Sequence, residues 1–157
     1  MSKYIEMARN VANERAARER EEIERREAER RHKGEIIKET MKLLKKELKQ
    51  WDDVNGFFYK DEGEHTHVPC ASLGRLGDKI LTFQCWWDTW VEEAHDEYSN
   101  SGSADGPAIK IVYCKDYADY SRSYRKLKEH TCRSSHNPTT LVDECMKLVA
   151  QYLSRFF

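Results

Sequence analysis

Histidine and cysteine gather in two short stretches of this chain, His65-Thr66-His67-Val68-Pro69-Cys70 and His130-Thr131-Cys132-Arg133-Ser134-Ser135-His136. Imidazole nitrogen and thiolate sulfur are the donors zinc prefers, and two clusters from distant segments can close one tetrahedral site. His65, His67, Cys132 and His136 are the candidate ligands for a zinc-stabilised module. On a strand, His65 and His67 point to one face and Cys70 to the other. The spacing matches neither the paired-cysteine knuckle nor the usual histidine pair. The competing reading is a set of polar strand and loop residues beside reduced core thiols at Cys85, Cys114 and Cys145. The count of five cysteines is odd, and Met1-Ser2-Lys3-Tyr4-Ile5-Glu6 has no apolar leader. Both features predict a reducing, cytoplasmic setting.

Nucleophilic chemistry has little to build on. Cys132 has His130 and His136 near it, but sequence neighbours rarely reach the geometry of a thiol and its base. Ser72-Leu73-Gly74 does not make a nucleophile elbow. Gly74-Arg75-Leu76-Gly77 is too short for a phosphate loop and lacks its Lys-Ser/Thr ending. No catalytic residue is expected, and the chain reads as a non-enzyme.

The segment from Trp86 to Tyr98 is chemically more distinctive. Residues 80–109 contain no Lys or Arg and six acids: Asp88, Glu92, Glu93, Asp96, Glu97 and Asp105. Trp86, Trp87 and Trp90 cannot share one side of a strand-to-helix junction, so one of them is expected to be exposed. An exposed indole among carboxylates has the character of a binding hot spot aimed at a basic surface. The expected contact comprises Trp86, Trp87, Trp90, Glu92, Glu93, Asp96, Glu97 and Tyr98, on a protein-interaction module working as an inhibitor or adaptor. Small phage inhibitors can use such a face to imitate nucleic acid, an analogy that no motif here carries. The competing reading buries all three indoles and leaves the acids as a solvated helix face.

A second aromatic group gives the alternative. Tyr113, Tyr117, Tyr120 and Tyr124 are interleaved with Lys115, Arg122, Arg125, Lys126 and Lys128. Tyrosines can stack bases while cations neutralise phosphates, so Tyr120, Arg122, Tyr124, Arg125, Lys126 and Lys128 are candidate nucleic-acid contacts. Such tyrosines more often line a sheet face beneath solvated bases. The chain of 157 residues carries 27 basic and 28 acidic side chains, so its net charge does not favour nucleic acid.

These groups need elements to hold them. Fifteen of the twenty residues from Glu14 to Lys33 are charged. Glu14–Arg18, Glu21–Arg25, Glu22–Arg26, Glu27–Arg31 and Glu29–Lys33 have the acid-before-base spacing that supports a solvated helix. Gly34 is expected to break or bend it. Ile37, Met41, Leu44, Leu48 and Trp51 then form an apolar stripe, and Asn55-Gly56 ends that helix. Strands are predicted at Phe57–Tyr59, His65–Cys70, Lys79–Trp86 and Ile109–Cys114, with a turn at Asp61–Glu64 and a loop over 72–78. Thr89 and Glu92 have capping-box spacing for a helix, and 99–107 reads as a loop. A loop followed by a strand is expected over 116–130.

A last helix is expected to begin at a Thr140–Asp143 capping pair. Its apolar face (Leu141, Cys145, Leu148, Tyr152) must dock on the sheet or on another subunit. The predicted class is α+β: a charged N-terminal helix over 1–33, then a compact domain over 34–157 with an antiparallel sheet of four or five strands and an amphipathic C-terminal helix. Residues 1–12 and the last helix are the expected surfaces of a homo-oligomer. No apolar run approaches the ~20 residues of a membrane span.

Overall fold

The computed structural model describes residues 2–91, 102–114, 128–134 and 137–157. It has a long N-terminal helix, a five-strand antiparallel sheet and a C-terminal helix, an α+β fold. The chain divides into two units, Met1–Glu35 and Ile36–Phe157. Among the described residues no helix is long and apolar enough to cross a membrane.

The first unit is the greater part of helix α1 (Lys3–Lys49). Its described side chains are exposed from Ser2 to His32. Tyr4, Ile5, Met7 and Val11 are each about half or more exposed. Ion pairs run along its surface: Arg26 Nη2 reaches Glu22 Oε1 at 2.7 Å, and Arg25 pairs with Glu29 at 3.5 Å. Arg25 thus pairs with the glutamate that follows it, not with the expected Glu21. The expected break at Gly34 does not occur; α1 runs through it. One glycine costs ~1 kcal/mol against alanine, and the Arg, Lys and Glu residues around it are good helix formers that outweigh it. A Cβ at Gly34 would meet nothing within 4 Å.

The second unit begins with the end of α1, where Met41, Leu44 and Leu48 are buried on the predicted stripe. Thr40 is buried with them, its hydroxyl donating to the Ile36 carbonyl at 2.7 Å. Asp53, Asn55 and Gly56 take positive φ to turn the chain into the sheet, as the Asn-Gly signal predicted. Strands β1 (Phe57–His65), β2 (Val68–Arg75), β3 (Asp78–Val91), β4 (Ser103–Tyr113) and β5 (Lys128–Arg133) follow in chain order across the sheet. Helix α2 (Pro138–Leu153) and a short 3-10 turn (Ser154–Phe156) close the chain.

The sheet alternates strictly enough to name its faces. Leu81, Phe83 and Cys85 of β3 join Phe57, Ala71, Leu73, Ile109, Ile111 and Cys132 in one core with the buried residues of α1 and α2. The last helix therefore docks on the sheet. Thr82, Gln84 and Trp86 point to the opposite face by the period of two. At the chain end, Trp51, Phe57, Phe156 and Phe157 pack edge to face. The Arg75 guanidinium lies 5.2 Å from the Phe156 ring, and Asn55 Nδ2 donates to the Phe156 carbonyl.

Five local expectations are corrected. The β1–β2 turn is at Thr66-His67, with φ of 53° and 65°; the predicted turn at Asp61–Glu64 is strand carrying a bulge. Gly63 uses its positive φ inside that bulge, where Asp61 Oδ1 accepts from its N–H at 2.9 Å. The predicted loop over 72–78 is mostly β2, because Leu73 is needed in the core and Gly74 gives room for Phe58. Thr89–Val91, expected to begin a helix, are instead the end of β3, and the rest of that expected helix lies outside the described residues. Residues Ser103–Pro107, expected in a loop, are the start of β4. The α2 cap is Asn137, whose Oδ1 accepts from Thr140 N at 2.8 Å with Pro138 in the first turn, so Thr140 is not the capping residue. Of the segment 116–130, only 128–130 are described, and they are strand.

Two consequences can be measured. A Cβ at Gly74 would lie 2.0 Å from Phe58 Cζ, so Gly74→Ala must displace that ring. It is expected to cost about 1–3 kcal/mol in chemical denaturation, and less in a Phe58→Ala background. Thr66 and His67 hold left-handed backbone that suits Asn and Gly. The double change Thr66→Asn, His67→Gly should stabilise by about 1 kcal/mol, read as a higher Tm.

Candidate functional site

The strands do not all end together. Pairing of β2 with β3 stops at Cys70–Gln84, and pairing of β5 with β4 stops at Arg133–Ala108. The residue at which β2 would continue beside β3 is Pro69, which has no N–H to donate. β3 and β4 go on pairing to Val91–Ser103. Among the described residues, Trp87–Val91 and Ser103–Pro107 therefore form a two-stranded ribbon beyond the rest of the sheet, with Trp86 at its base opposite Ala108. A two-stranded ribbon is marginal in water unless side chains brace it.

The bracing comes from size complementarity across the strands. Trp86, Asp88 and Trp90 share one face of β3 and oppose Ala108, Gly106 and Ala104 of β4. Gly106 and Ala108 are buried, and both indoles are half-buried. Small residues on β4 leave room for Arg133 on β5 to cross towards β3. Its Nε meets Asp88 Oδ2 at 2.7 Å. Arg133 holds the Asp88 carboxyl below the usual aspartate range, with further help from the Thr89 N–H and the Trp86 indole. Trp87 occupies the other face, half-buried, and donates from Nε1 to Asp105 Oδ2 at 3.3 Å. Val91, at the far end of β3, is 70% exposed.

The predicted indoles are thus brought to one ribbon, two on one face and one on the other. The predicted acids Glu92, Glu93, Asp96 and Glu97, with Tyr98, lie outside the described residues. Of the six acids between 80 and 109, the two described ones are both engaged: Asp88 by Arg133, Asp105 by Trp87. Sequence reasoning missed Arg133 and the small row at 104, 106 and 108. The alternation of small residues in Ser103-Ala104-Asp105-Gly106-Pro107-Ala108 is the signal that would have found that row.

Lys128 opens β5, its ammonium 5.4 Å from the Tyr113 ring centre, while Tyr120, Arg122, Tyr124, Arg125 and Lys126 lie outside the described residues. His65 ends β1 and His67 sits in the turn. Cys132 is buried in the core on β5, and His136 lies outside the described residues. Among the described residues no three His, Cys, Asp or Glu side chains gather to hold a metal ion.

Comparison with protein-family models, with curated proteins and with solved structures gives no match. The geometry is therefore the basis of the functional reading.

Asp88 gives the site a pH signature. Its folded pKa is depressed below the ordinary 3.8, so the stability it contributes is present above that value and lost as pH falls through the folded pKa. Arg133→Gln should move the Asp88 carboxyl titration upward towards 3.8, followed by NMR. The same variant should lose less stability than the unmodified chain as acid is added.

Proposed function

We propose that this chain is a non-enzymatic protein-interaction module that docks a protein partner through the β3–β4 ribbon, as an inhibitor or adaptor. The observation that carries the reading is the concentration of Trp86, Trp87, Trp90 and exposed Val91 on a ribbon that extends past the rest of the sheet. Indoles are the side chains most often found at the energetic centre of protein interfaces, because they bury a large rigid surface and keep one polar handle. The body of the sheet holds the ribbon base, and Arg133–Asp88 fixes how Trp86 and Trp90 are presented. Preorganisation of this kind lowers the ordering cost of association.

The partner class follows from charge. From residue 80 to 109 there is no Lys or Arg, so the ribbon and its connection carry only acidic formal charge. A basic partner surface with an apolar cleft is the complement. Because Asp88 and Asp105 are internally satisfied, Trp90 and Trp86 supply affinity, and the acids of 92–97 supply steering. Residues 1–12 are the proposed contact with a second copy of the chain, a reading supported by the exposure of Tyr4, Ile5, Met7 and Val11.

The test compares two immobilised full-length chains, the unmodified one and Trp86→Ala/Trp90→Ala, in the same native lysate. Matched circular dichroism spectra establish that both are folded. A partner of the ribbon is expected to fall by about 10-fold or more in the variant, the ~1.4 kcal/mol scale of a hot spot. Equal recovery of every captured protein by both chains would overturn the reading.

A further inference from the structure

The helix-covered face of the sheet does not end in a sealed core. Ile109 and Ile111 of β4 are fully buried, but the next residue on that face, Tyr113, is half-buried. Lys128 and His130 of β5 stand opposite Tyr113 and Ile111, so alternation puts both on the same face. A groove of about 320 Å³ opens there against the last turns of α2, lined by Tyr113, Lys128, His130, Leu148, Gln151 and Tyr152. Small-molecule sites occupy about 300–1,000 Å³, so this one suits a ligand at the small end of that range.

The lining combines an aromatic corner with one lysine charge. The Tyr113 and Tyr152 rings meet edge to face, their centres 4.7 Å apart. The Lys128 ammonium lies 5.4 Å from the Tyr113 ring centre, and among the described residues no carboxylate pairs with it. Its neighbour Glu129 is committed by alternation to the opposite face, where it meets Lys110 at 3.3 Å. On α2, Asp143 is taken by Lys147 at 2.9 Å, and Glu144, one turn before Leu148, does not line the groove. No Asp or Glu is among the lining residues, whereas His130 and Gln151 add hydrogen-bond donors.

We propose that this groove binds a small aromatic monocarboxylate, with Lys128 meeting the carboxylate and Tyr113, Tyr152 and Leu148 receiving the ring. A neutral aromatic would leave the ammonium uncompensated. A cation would be repelled by it, and a dianion would bring more charge than one lysine neutralises. Aromatic rings favour the edge-to-face and offset contacts that a corner of two tyrosines offers. The ammonium is already held near the Tyr113 ring, so less side-chain freedom is lost when the carboxylate arrives. The groove lies at the Tyr113 end of β4 and the ribbon at its Ser103 end, so this ligand site is separate from the proposed protein contact.

Isotope-labelled full-length chain is titrated with naphthoate and followed by amide NMR. Naphthalenemethanol supplies the ring without the charge, acetate the charge without the ring, and naphthyl phosphate the dianion. Naphthoate is expected to give saturable shifts at Lys128, His130, Leu148 and Gln151 while the amides of Trp87–Val91 stay in place. The alcohol and acetate should each bind about 10-fold more weakly, and naphthyl phosphate no more tightly than naphthoate. Lys128→Gln, at an exposed position, should weaken naphthoate about 5-fold and leave the alcohol unchanged. Naphthoate shifts that do not saturate by about 10 mM, or that centre elsewhere, overturn the site. Equal binding of the alcohol, or tighter binding of the phosphate, overturns the ligand class; the panel on the unmodified chain decides both without the variant.

Discussion

Every side chain of β3 must take one of two faces, and this alternation governs the molecule. Leu81, Phe83 and Cys85 take the face covered by the end of α1 and by α2, and they meet Leu44, Ile109 and Leu141 in a single core. The intervening positions are thereby committed to the opposite face. A slip of one residue would exchange the two sets and expose the core, so register is strongly specified. The unbroken pairing from Leu81–Tyr113 to Val91–Ser103 carries the alternation past the core into the ribbon. It is why Trp86, Asp88 and Trp90 stand together while Trp87 stands apart.

Charges reinforce this arrangement chiefly by closing polar groups off in pairs. Glu62, the bulge residue of β1, accepts from buried Ser72 at 2.8 Å and meets Lys79 at 3.0 Å. Lys79 and Ser72 keep its pKa down. Lys45 on α1 reaches Asp61 at 2.9 Å and ties that helix to β1. Each pair is partly solvated, where such contacts contribute ~1 kcal/mol or less. Their value lies in specifying which residue faces which, while apolar burial supplies the larger share of stability.

Legibility in the sequence tracked the range of the interactions involved. The stripe through Met41, Leu44 and Leu48 and the face of α2 were visible because helical periodicity is local. The capping-box spacing at Thr89 competed with an alternation already running through β3, and sheet pairing won. The Ser103–Pro107 stretch looked like a loop by composition. Its small residues are explained only by the tryptophans opposite, across a connection that sequence periodicity does not register. Thr66-His67 carries no turn chemistry, so the hairpin was placed at Gly63, where a bulge uses the glycine instead. The Arg133–Asp88 contact spans 45 residues and had no sequence signal.

Three of the four tryptophans fall within five consecutive residues of the ribbon, while Trp51 packs against Phe57 at 5.7 Å. Intrinsic emission from this chain is consequently weighted toward the local hydration of one projection, with a minority contribution from the interior. The wavelength of that light registers what covers the indoles more directly than whether the body of the sheet is intact. The optical reporter of this chain thus sits at the β3–β4 ribbon, apart from the core.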